Sequence, residues 1–186
     1  MKKYVITGGP VSGKSSVIDE LDKLGLFVLP ETATQIIKIG KYGDIKKLSR
    51  EKILEFNEEV IYRKFEKEVV GFKKEKDCVF LDRAMPDSKA YFSFYGLPLP
   101  IDFVNYDFSQ PYDLVFMFQR LPFKNDEGRV ETDEKVADGI HNEIIKTYKE
   151  LNYKIIDVPL LSGNEKESIE MRVEFILDKI SSPALL

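Results

Sequence analysis

The sequence has very few of the side chains that form covalent cross-links or transition-metal sites. Cys78 is the only cysteine and His141 the only histidine in a chain of 186 residues. A single cysteine excludes an internal disulfide bond and a cysteine-based zinc cluster, and one histidine cannot form a metal site alone. We therefore expect Cys78 to lie in a buried strand and His141 to lie on the polar face of a helix.

Long apolar stretches and an excess of basic residues are also missing. No stretch approaches the ~20 apolar residues that span a bilayer, and the first residues lead directly into a predicted strand without room for a signal peptide. The formal net charge is −4, whereas nucleic-acid binding usually needs concentrated Lys and Arg. We expect a cytoplasmic protein without a membrane or nucleic-acid partner. The sequence does not indicate the oligomeric state.

What is present is a regular alternation of strand and helix patterns. Apolar runs without polar alternation predict strands at 3–7, 26–29, 78–81, 114–118 and 154–158, each covered on both faces. Helical spacing predicts helices between them, among them a long one over 49–72. Its apolar residues are expected to pack on the sheet: Leu54, Ile61, Phe65, Val69 and Phe72. This order predicts an α/β, three-layer fold with a five-stranded, mostly parallel sheet flanked by helices, in a single domain over 1–186.

The segment between the first strand and the first helix has the pattern of a phosphate-binding loop. Its residues match G-x-x-x-x-G-K-[ST] in full: Gly8, Gly9, Pro10, Val11, Ser12, Gly13, Lys14 and Ser15. Glycines let backbone N–H groups converge on a phosphate, and the helix that follows points its positive end at it. We predict that this loop binds a nucleotide, with Ser16 either included or only continuing the helix.

Two side chains of the loop have predicted chemical roles. Lys14 adds a positive charge at the β and γ phosphates and is therefore a candidate catalytic residue, while the Ser15 hydroxyl is a candidate Mg²⁺ ligand. A plain glycine turn would explain neither residue. Because the sequence has no N-K-x-D motif for guanine, ATP with Mg²⁺ is favoured as the cofactor.

A second acidic position is predicted where the third strand ends, at Asp82. An apolar strand that ends in aspartate is the form of a segment that holds Mg²⁺ directly or through water, and a helix cap would explain the residue about as well. The ten residues DRAMPDSKAY from Asp82 onward resemble the D-R-x-x-x-x-S-x-A-Y segment of thymidylate kinases. The resemblance implies that Asp82 and Arg83 lie beside the acceptor and the transferring phosphates. The alternative is a structural ion pair of Arg83 with Asp82 or Glu31.

A wider resemblance covers nearly the whole chain. The residues that support it are 6–10 (ITGGP), 12–15 (SGKS), 30–33 (PETA), Asp82, Arg83, Pro86, Asp87, Ala90, Tyr91, 128–131 (GRVE), Ile140, His141 and Tyr148. With them the chain resembles small stand-alone proteins, often labelled AAA-type ATPases, that are related to the nicotinamide riboside kinase part of NAD-regulating proteins. The resemblance implies a P-loop NTPase fold. Thymidylate kinases usually have an acidic residue where this chain has Pro10, Val11 and Ser12, which argues against thymidylate as the acceptor.

Two further charged residues are candidate catalytic groups. Glu31 follows the second strand and should lie at the same sheet edge as Asp82. A carboxylate there can accept a proton from an attacking hydroxyl or bind Mg²⁺ through water, and a first-turn acid of the next helix is the alternative. Arg129 lies in a charged loop over 121–132, where P-loop kinases place a lid. We predict that Arg129 stabilises charge on the γ-phosphoryl group.

These residues together predict a Mg-ATP-dependent phosphotransferase that acts on a small nucleoside-like acceptor. The alternative is an NTP hydrolase or a nucleotide-binding switch protein with no small-molecule acceptor. The segment from Asp82 to Tyr91 favours the kinase. No plain acceptor signature is present, so both functions stay open at this point.

Overall fold

Five parallel strands form the centre of the molecule. The computed structural model describes residues 1–109, 111–121, 134–160 and 164–181. The strands are β1 (Lys2–Thr7), β2 (Val28–Leu29), β3 (Cys78–Asp82), β4 (Leu114–Phe118) and β5 (Ile155–Val158). Their spatial order is β2-β3-β1-β4-β5, and every pairing is parallel. The predicted α/β fold with a five-stranded sheet is therefore confirmed.

The helices follow the strands in the predicted order. Their bounds are α1 (Lys14–Lys23), α2 (Thr32–Ile39), α3 (Arg50–Gly71), α4 (Met85–Phe94), α5 (Ile101–Val104), α6 (Glu134–Glu150) and α7 (Glu165–Ser181). Ser49 caps α3 by accepting a hydrogen bond from the Lys52 N–H, and α2 ends at Gly40 with φ +79°. The short α5 lies between α4 and β4.

Helices cover the two faces of the sheet separately. Successive residues of β1 point to opposite faces: Ile6 packs with residues of α1 and α7, and Val5 packs with residues of α4 and α6. The central strands β3, β1 and β4 are buried in this way. The prediction that every strand is covered on both faces is wrong for β5, where Asp157 is exposed, because β5 is an edge strand.

The prediction of which face of α3 packs on the sheet is also wrong. Of its predicted apolar stripe only Ile61 is fully buried, while Phe65 and Val69 are 37% and 38% exposed. The buried residues of α3 are instead Asn57, Val60, Ile61, Lys64, Glu68 and Gly71. The helix packs mainly against α4 and α2 and meets the sheet at β2, and its buried face includes the polar residues Asn57, Lys64 and Glu68.

All strands of a parallel sheet end at one edge, so the loops that follow β1, β2, β3 and β4 lie together. The predicted lid at 121–132, with Arg129, falls on residues 122–133, which are outside the described part of the chain. The lid and the single domain over 1–186 therefore stay predictions. Among the described residues, no helix combines the length and apolar character that crossing a bilayer requires.

Candidate active site

A cavity of about 480 Å³ opens at the carboxyl edge of the sheet. The phosphate loop from Pro10 to Ser16 forms one end of it, and side chains from α2, α3 and α4 form the other end. Glu31 and Arg83 line the wall between the two ends. The structure thus brings together the predicted nucleotide loop and two of the predicted catalytic residues.

The phosphate loop is held by hydrogen bonds to its carbonyl groups. The donor and acceptor pairs are Arg120 Nε to Pro10 O at 3.2 Å, Leu121 N to Val11 O at 2.7 Å and Arg172 Nη1 to Ser12 O at 3.3 Å. In a trans peptide the C=O and the following N–H point in opposite directions. Because the donors lie outside the cavity, the N–H groups of Val11, Ser12 and Gly13 are turned toward the cavity side. The loop is therefore arranged for an anion.

Glycine is required at the start of the loop for a steric reason. Gly8 has φ +133°, and a Cβ atom there would lie 2.3 Å from the carbonyl oxygen of Phe118 in β4. The sequence analysis assigned Gly8 to the approach of the phosphates, but neither Gly8 nor Gly9 lines the cavity. In this structure, the close packing of the loop on β4 explains Gly8.

Lys14 is buried along the loop. Its Nζ donates to the Gly9 carbonyl and to the Ser12 hydroxyl, both at 2.8 Å. Burial, followed by the nearby charge of Arg83, lowers the pKa of Lys14 to about 8. Ser15 is exposed and Ser16 half-buried, and both line the cavity beside Lys14.

Arg83 has a strained backbone and a tightly held side chain. Its φ is +63°, a conformation that costs a non-glycine residue roughly 1–3 kcal/mol. The Arg83 N–H donates to the Ile6 carbonyl at 3.0 Å. The guanidinium pairs with Glu31 Oε1 at 2.8 Å and with Asp87 Oδ1 at 3.2 Å. The Arg83–Glu31 ion pair, which the sequence analysis weighed as an alternative, is therefore formed, and it fixes the guanidinium in the cavity wall.

Glu31 is half-buried at the end of β2, as predicted. Its Oε2 accepts a hydrogen bond from the Thr34 hydroxyl at 2.5 Å, while Oε1 faces Arg83. Burial favours the neutral acid, but Arg83 and the Thr34 hydrogen bond outweigh it and hold the pKa of Glu31 below its usual value. Glu31 is therefore ionised at neutral pH.

Asp82 lies at the end of β3, paired with Ile6 of β1 in the sheet register. It is 5% exposed, and its Oδ1 has no hydrogen-bond partner among the residues that the structure describes. Burial, together with the charge of Glu31, raises the pKa of Asp82 to about 6. A buried carboxylate oxygen without a donor suits a cation or a metal-bound water. Asp82 does not line the cavity itself, so it would act on a metal there through water.

Asp87 was not predicted as a site residue, yet it connects the elements around the site. Its carboxylate accepts hydrogen bonds from the Thr7 hydroxyl in β1, the Ala84 N–H at 2.9 Å and the Tyr148 hydroxyl at 2.6 Å. These three hydrogen bonds and the ion pair with Arg83 give Asp87 four contacts, and its side chain is fully buried. Asp87 therefore fixes the turn after β3 relative to β1 and α6.

The far end of the cavity combines apolar walls with polar groups. Its apolar lining comes from Ala33, Ile37, Ile45, Phe56 and Val60. Asn57, Lys64 and Ser88 add polar groups. Lys64 is buried and donates to the Ala84 carbonyl at 3.1 Å, and within the described part of the chain the buried Ser88 Oγ has no hydrogen-bond partner. Asn57 and Lys64 were missed because they lie a helical distance apart in α3, and Ser88, although part of the segment that resembles thymidylate kinases, was given no role. The helical spacing of Asn57, Ile61, Lys64 and Glu68 was the available signal.

The comparisons with known proteins agree with this geometry. A family model described as an AAA domain matches residues 3–167. The chain belongs to this AAA domain family. A search of curated proteins gives no match.

Solved structures share the fold of this AAA domain protein at low sequence identity. NadR protein in complex with NR is 16% identical with a TM-score of 0.64, and the match covers 95% of this chain but 50% of NadR. Deoxyadenosine kinase from M. mycoides with bound dATP is 17% identical with a TM-score of 0.64, over 98% of this chain and 100% of the kinase. Thymidylate kinase from Ehrlichia chaffeensis is 13% identical with a TM-score of 0.64, over 96% and 98% of the two chains. The chain thus spans about half the length of NadR, and these likenesses establish the P-loop kinase type of fold.

Proposed function

We propose that this protein is a Mg-ATP-dependent phosphotransferase that transfers the γ-phosphoryl group of ATP to a hydroxyl of a small nucleoside-like acceptor. The observation that supports this most directly is the arrangement within one cavity. A phosphate loop lies at one end, an apolar chamber at the other, and the Glu31–Arg83 pair lies between them.

The phosphate end supplies the nucleotide site. The N–H groups of Val11, Ser12 and Gly13 would bind the phosphates, and Lys14 would neutralise charge on the β and γ oxygens. Mg²⁺, when bound, would supply positive charge that offsets the charge developing on the phosphates during transfer. The Ser15 hydroxyl would hold it directly and Asp82 through water, which would also give the Asp82 Oδ1 its missing partner.

The middle of the cavity supplies the groups for the transfer step. The acceptor hydroxyl forms a bond to the γ-phosphorus while the bond to the β–γ bridging oxygen breaks, leaving ADP. The ionised carboxylate of Glu31 takes the hydroxyl proton. Arg83, held by Glu31 and Asp87, stabilises charge on the phosphoryl group in flight. We assign Arg129 the role of a lid arginine that adds charge from the nucleotide side.

The far end suits a flat, partly polar acceptor. Ile37, Phe56 and Val60 offer apolar surface to a ring, while Ser88 and Lys64 offer hydrogen-bond donors at its edge. Two of the structural neighbours support this assignment, since NadR was solved with NR and with NAD and AMP-PNP, and deoxyadenosine kinase was solved with dATP. A nucleoside combines a ring of this kind with free hydroxyl groups.

A transfer assay tests the proposal. The purified protein is given ATP labelled in the γ-phosphate, Mg²⁺ and a panel of nucleosides and related ribosides, and labelled product is measured. Transfer to one acceptor class, abolished by chelating Mg²⁺, is the expected result. Release of inorganic phosphate at the same rate with and without every acceptor would instead identify a hydrolase.

The metal assignment has its own test. Replacing Asp82 with Asn keeps the shape of the side chain but removes its charge. The Mg²⁺ concentration for half-maximal transfer should rise about tenfold, the usual effect of losing a group that orients a metal ligand. An unchanged Mg²⁺ requirement would remove Asp82 from the metal site.

A further inference from the structure

The only histidine of the chain lies against the start of the phosphate loop. His141 is a half-buried residue of α6, and its Nδ1 accepts a hydrogen bond from the Gly9 N–H at 3.0 Å. The contact joins residues that are 132 positions apart in the sequence. The sequence analysis placed His141 on a polar helix face and gave it no role.

Packing around this contact leaves little freedom. A Cβ atom added to Gly9 would lie 2.6 Å from His141 Cβ and 3.2 Å from Arg120 Cδ. The same Gly9 accepts hydrogen bonds at its carbonyl from Lys14 and from the Ser12 hydroxyl. His141 therefore fixes the peptide unit that directly precedes the one whose carbonyl, that of Gly9, positions Lys14.

The hydrogen bond needs one particular protonation state of the imidazole. Nδ1 can accept from the Gly9 N–H only when it has no proton, so the ring must be neutral with its hydrogen on Nε2. A protonated Nδ1–H would face the Gly9 N–H, donor against donor. Loss of the contact would free the first residues of the loop.

We propose that His141 is a positioning residue for the phosphate loop, and that protonation of its imidazole releases the Gly9 amide and weakens nucleotide binding. The inference depends on the proposed function, because it takes the loop to be a nucleotide site. It adds a second region, α6, to the elements that set nucleotide affinity.

The charges around His141 favour its neutral form. Lys14, Arg120 and Arg83 face it from the loop, the end of β4 and the turn after β3, and Asp138 faces it from α6. Burial, followed by the charges of Lys14 and Arg120, lowers the pKa of His141 below 6.5. The imidazole is therefore neutral at pH 7.5 and becomes protonated only in acid.

A bound polyanion would by itself attract a protonated histidine. Electrostatic attraction alone therefore predicts tighter nucleotide binding as the pH falls, whereas loss of the Gly9 contact predicts weaker binding. The two effects have opposite signs, so the direction of the pH dependence decides between them.

The experiment measures the Kd of Mg-ATP from pH 8 to pH 5 for the wild type and three variants. His141→Asn keeps an acceptor at the δ position that is not protonated in this range. His141→Leu removes the acceptor, and Asn142→Ala changes an exposed neighbour on the same helix as a matched control. Protonation of ATP itself is common to all four proteins and cancels when affinities are compared at one pH.

The wild type and His141→Asn are expected to differ in affinity only in acid. At pH 8 the wild type, His141→Asn and Asn142→Ala should bind alike, and His141→Leu should bind about threefold to tenfold more weakly, the effect of one hydrogen bond. As the pH falls toward 5, the affinities of the wild type and Asn142→Ala should fall toward that of His141→Leu, while that of His141→Asn falls less than theirs.

Two results would overturn the inference. The first is a wild-type affinity that stays equal to that of His141→Asn, or exceeds it, at every pH while Mg-ATP binding itself is normal; the proposed function would then stand without it. The second is no binding of Mg-ATP by the wild type at pH 8, which would overturn the proposed function together with the inference. Should His141→Leu fail to fold, the comparison of the wild type with His141→Asn still decides.

Discussion

The two ends of the cavity are built in different ways. The phosphate end is one continuous stretch, 10–16, and its N–H groups are oriented by hydrogen bonds to the carbonyls of Pro10, Val11 and Ser12. The acceptor end is assembled from side chains of separate helices, such as Lys64 in α3 and Ser88 in α4. Phosphate binding therefore depends mostly on backbone, and acceptor choice depends on dispersed side chains.

This difference predicts that substitutions at the two ends should affect different steps of the reaction. A change at the phosphate end should affect every reaction that uses the nucleotide, whichever acceptor is present. A change at the acceptor end should affect the KM of the acceptor and leave nucleotide binding unchanged. Glu31 lies between the ends, so its loss should affect the rate of transfer alone.

The largest effect is expected for Lys14→Ala. The variant loses the one side-chain charge of the loop, and the transfer rate should fall about 10³-fold, the upper range for removing one preorganised donor. Nucleotide affinity should fall as well, for every acceptor equally. Lys23→Ala, at the exposed end of the same helix, is the matched control and should behave like the wild type. Equal turnover in Lys14→Ala and the control would contradict the assignment of this end.

A smaller effect is expected for Glu31→Gln. The amide has the shape of the carboxylate and still offers an oxygen to Arg83, but it cannot take the acceptor proton. The transfer rate should fall about 10²-fold, the lower range for a general base, with the Kd of Mg-ATP unchanged. Glu143→Gln on α6 controls for the loss of one charge. A fall in nucleotide affinity without a fall in rate would instead make Glu31 a metal-site residue.

Ser88→Ala tests whether the two ends of the cavity act independently. The hydroxyl is buried and has no partner within the described residues, so a bound acceptor gains a hydrogen bond that the variant lacks. The KM of the acceptor should rise about threefold to tenfold, while the Kd of Mg-ATP stays the same. The control is Ser93→Ala, because Ser93 lies on the same helix and its hydroxyl donates a hydrogen bond to Glu143. A change in ATP affinity would show that the two ends are not independent.

The same division explains how far the sequence could predict this molecule. Patterns in consecutive residues predicted the order of strands and helices, the loop from Gly8 to Ser15, and the positions of Glu31 and Asp82 at the ends of strands. Each of these follows from residues close together in the chain. The Arg83–Glu31 ion pair was one of the alternatives that the sequence left open, but no local pattern indicates the left-handed backbone of Arg83 or its contact with Asp87.

What the sequence analysis missed depends on contacts between distant segments. His141, Arg120 and Arg172 reach the phosphate loop from the second half of the chain, and hydrophobic periodicity does not report such contacts. The face of α3 was misassigned because apolar residues such as Phe65 were assumed to be inside. Its buried face is partly polar because Lys64 lines the cavity, and a periodicity rule for apolar residues cannot find it.

The smallest effect on activity, with a measurable effect on stability, is expected for Glu68→Gln behind the acceptor end. Burial raises the pKa of Glu68 from 4.5 to about 7, so the folded state binds its proton more tightly than the unfolded state does. Its contribution to stability therefore decreases as the pH rises from 4.5 through 7. The glutamine can still accept from the Tyr112 hydroxyl, which donates to Glu68 Oε2 at 2.5 Å, and Asp87 still faces Lys64.

Urea unfolding of the wild type and Glu68→Gln between pH 6 and pH 8 measures this effect. The variant should be more stable than the wild type at pH 8, on the order of 1 kcal/mol, and the difference should shrink toward pH 6, where Glu68 is protonated in the folded protein. Glu143→Gln should show no such gain, because hydrogen bonding to Ser93 lowers the pKa of Glu143. Transfer activity should change less than about threefold, since Glu68 does not line the cavity and the variant keeps an acceptor for the Tyr112 hydrogen bond. A wild type that is more stable than the variant at pH 8 would mean that the Glu68 carboxylate is stabilised as an ion in the folded protein, which would contradict a pKa raised by burial.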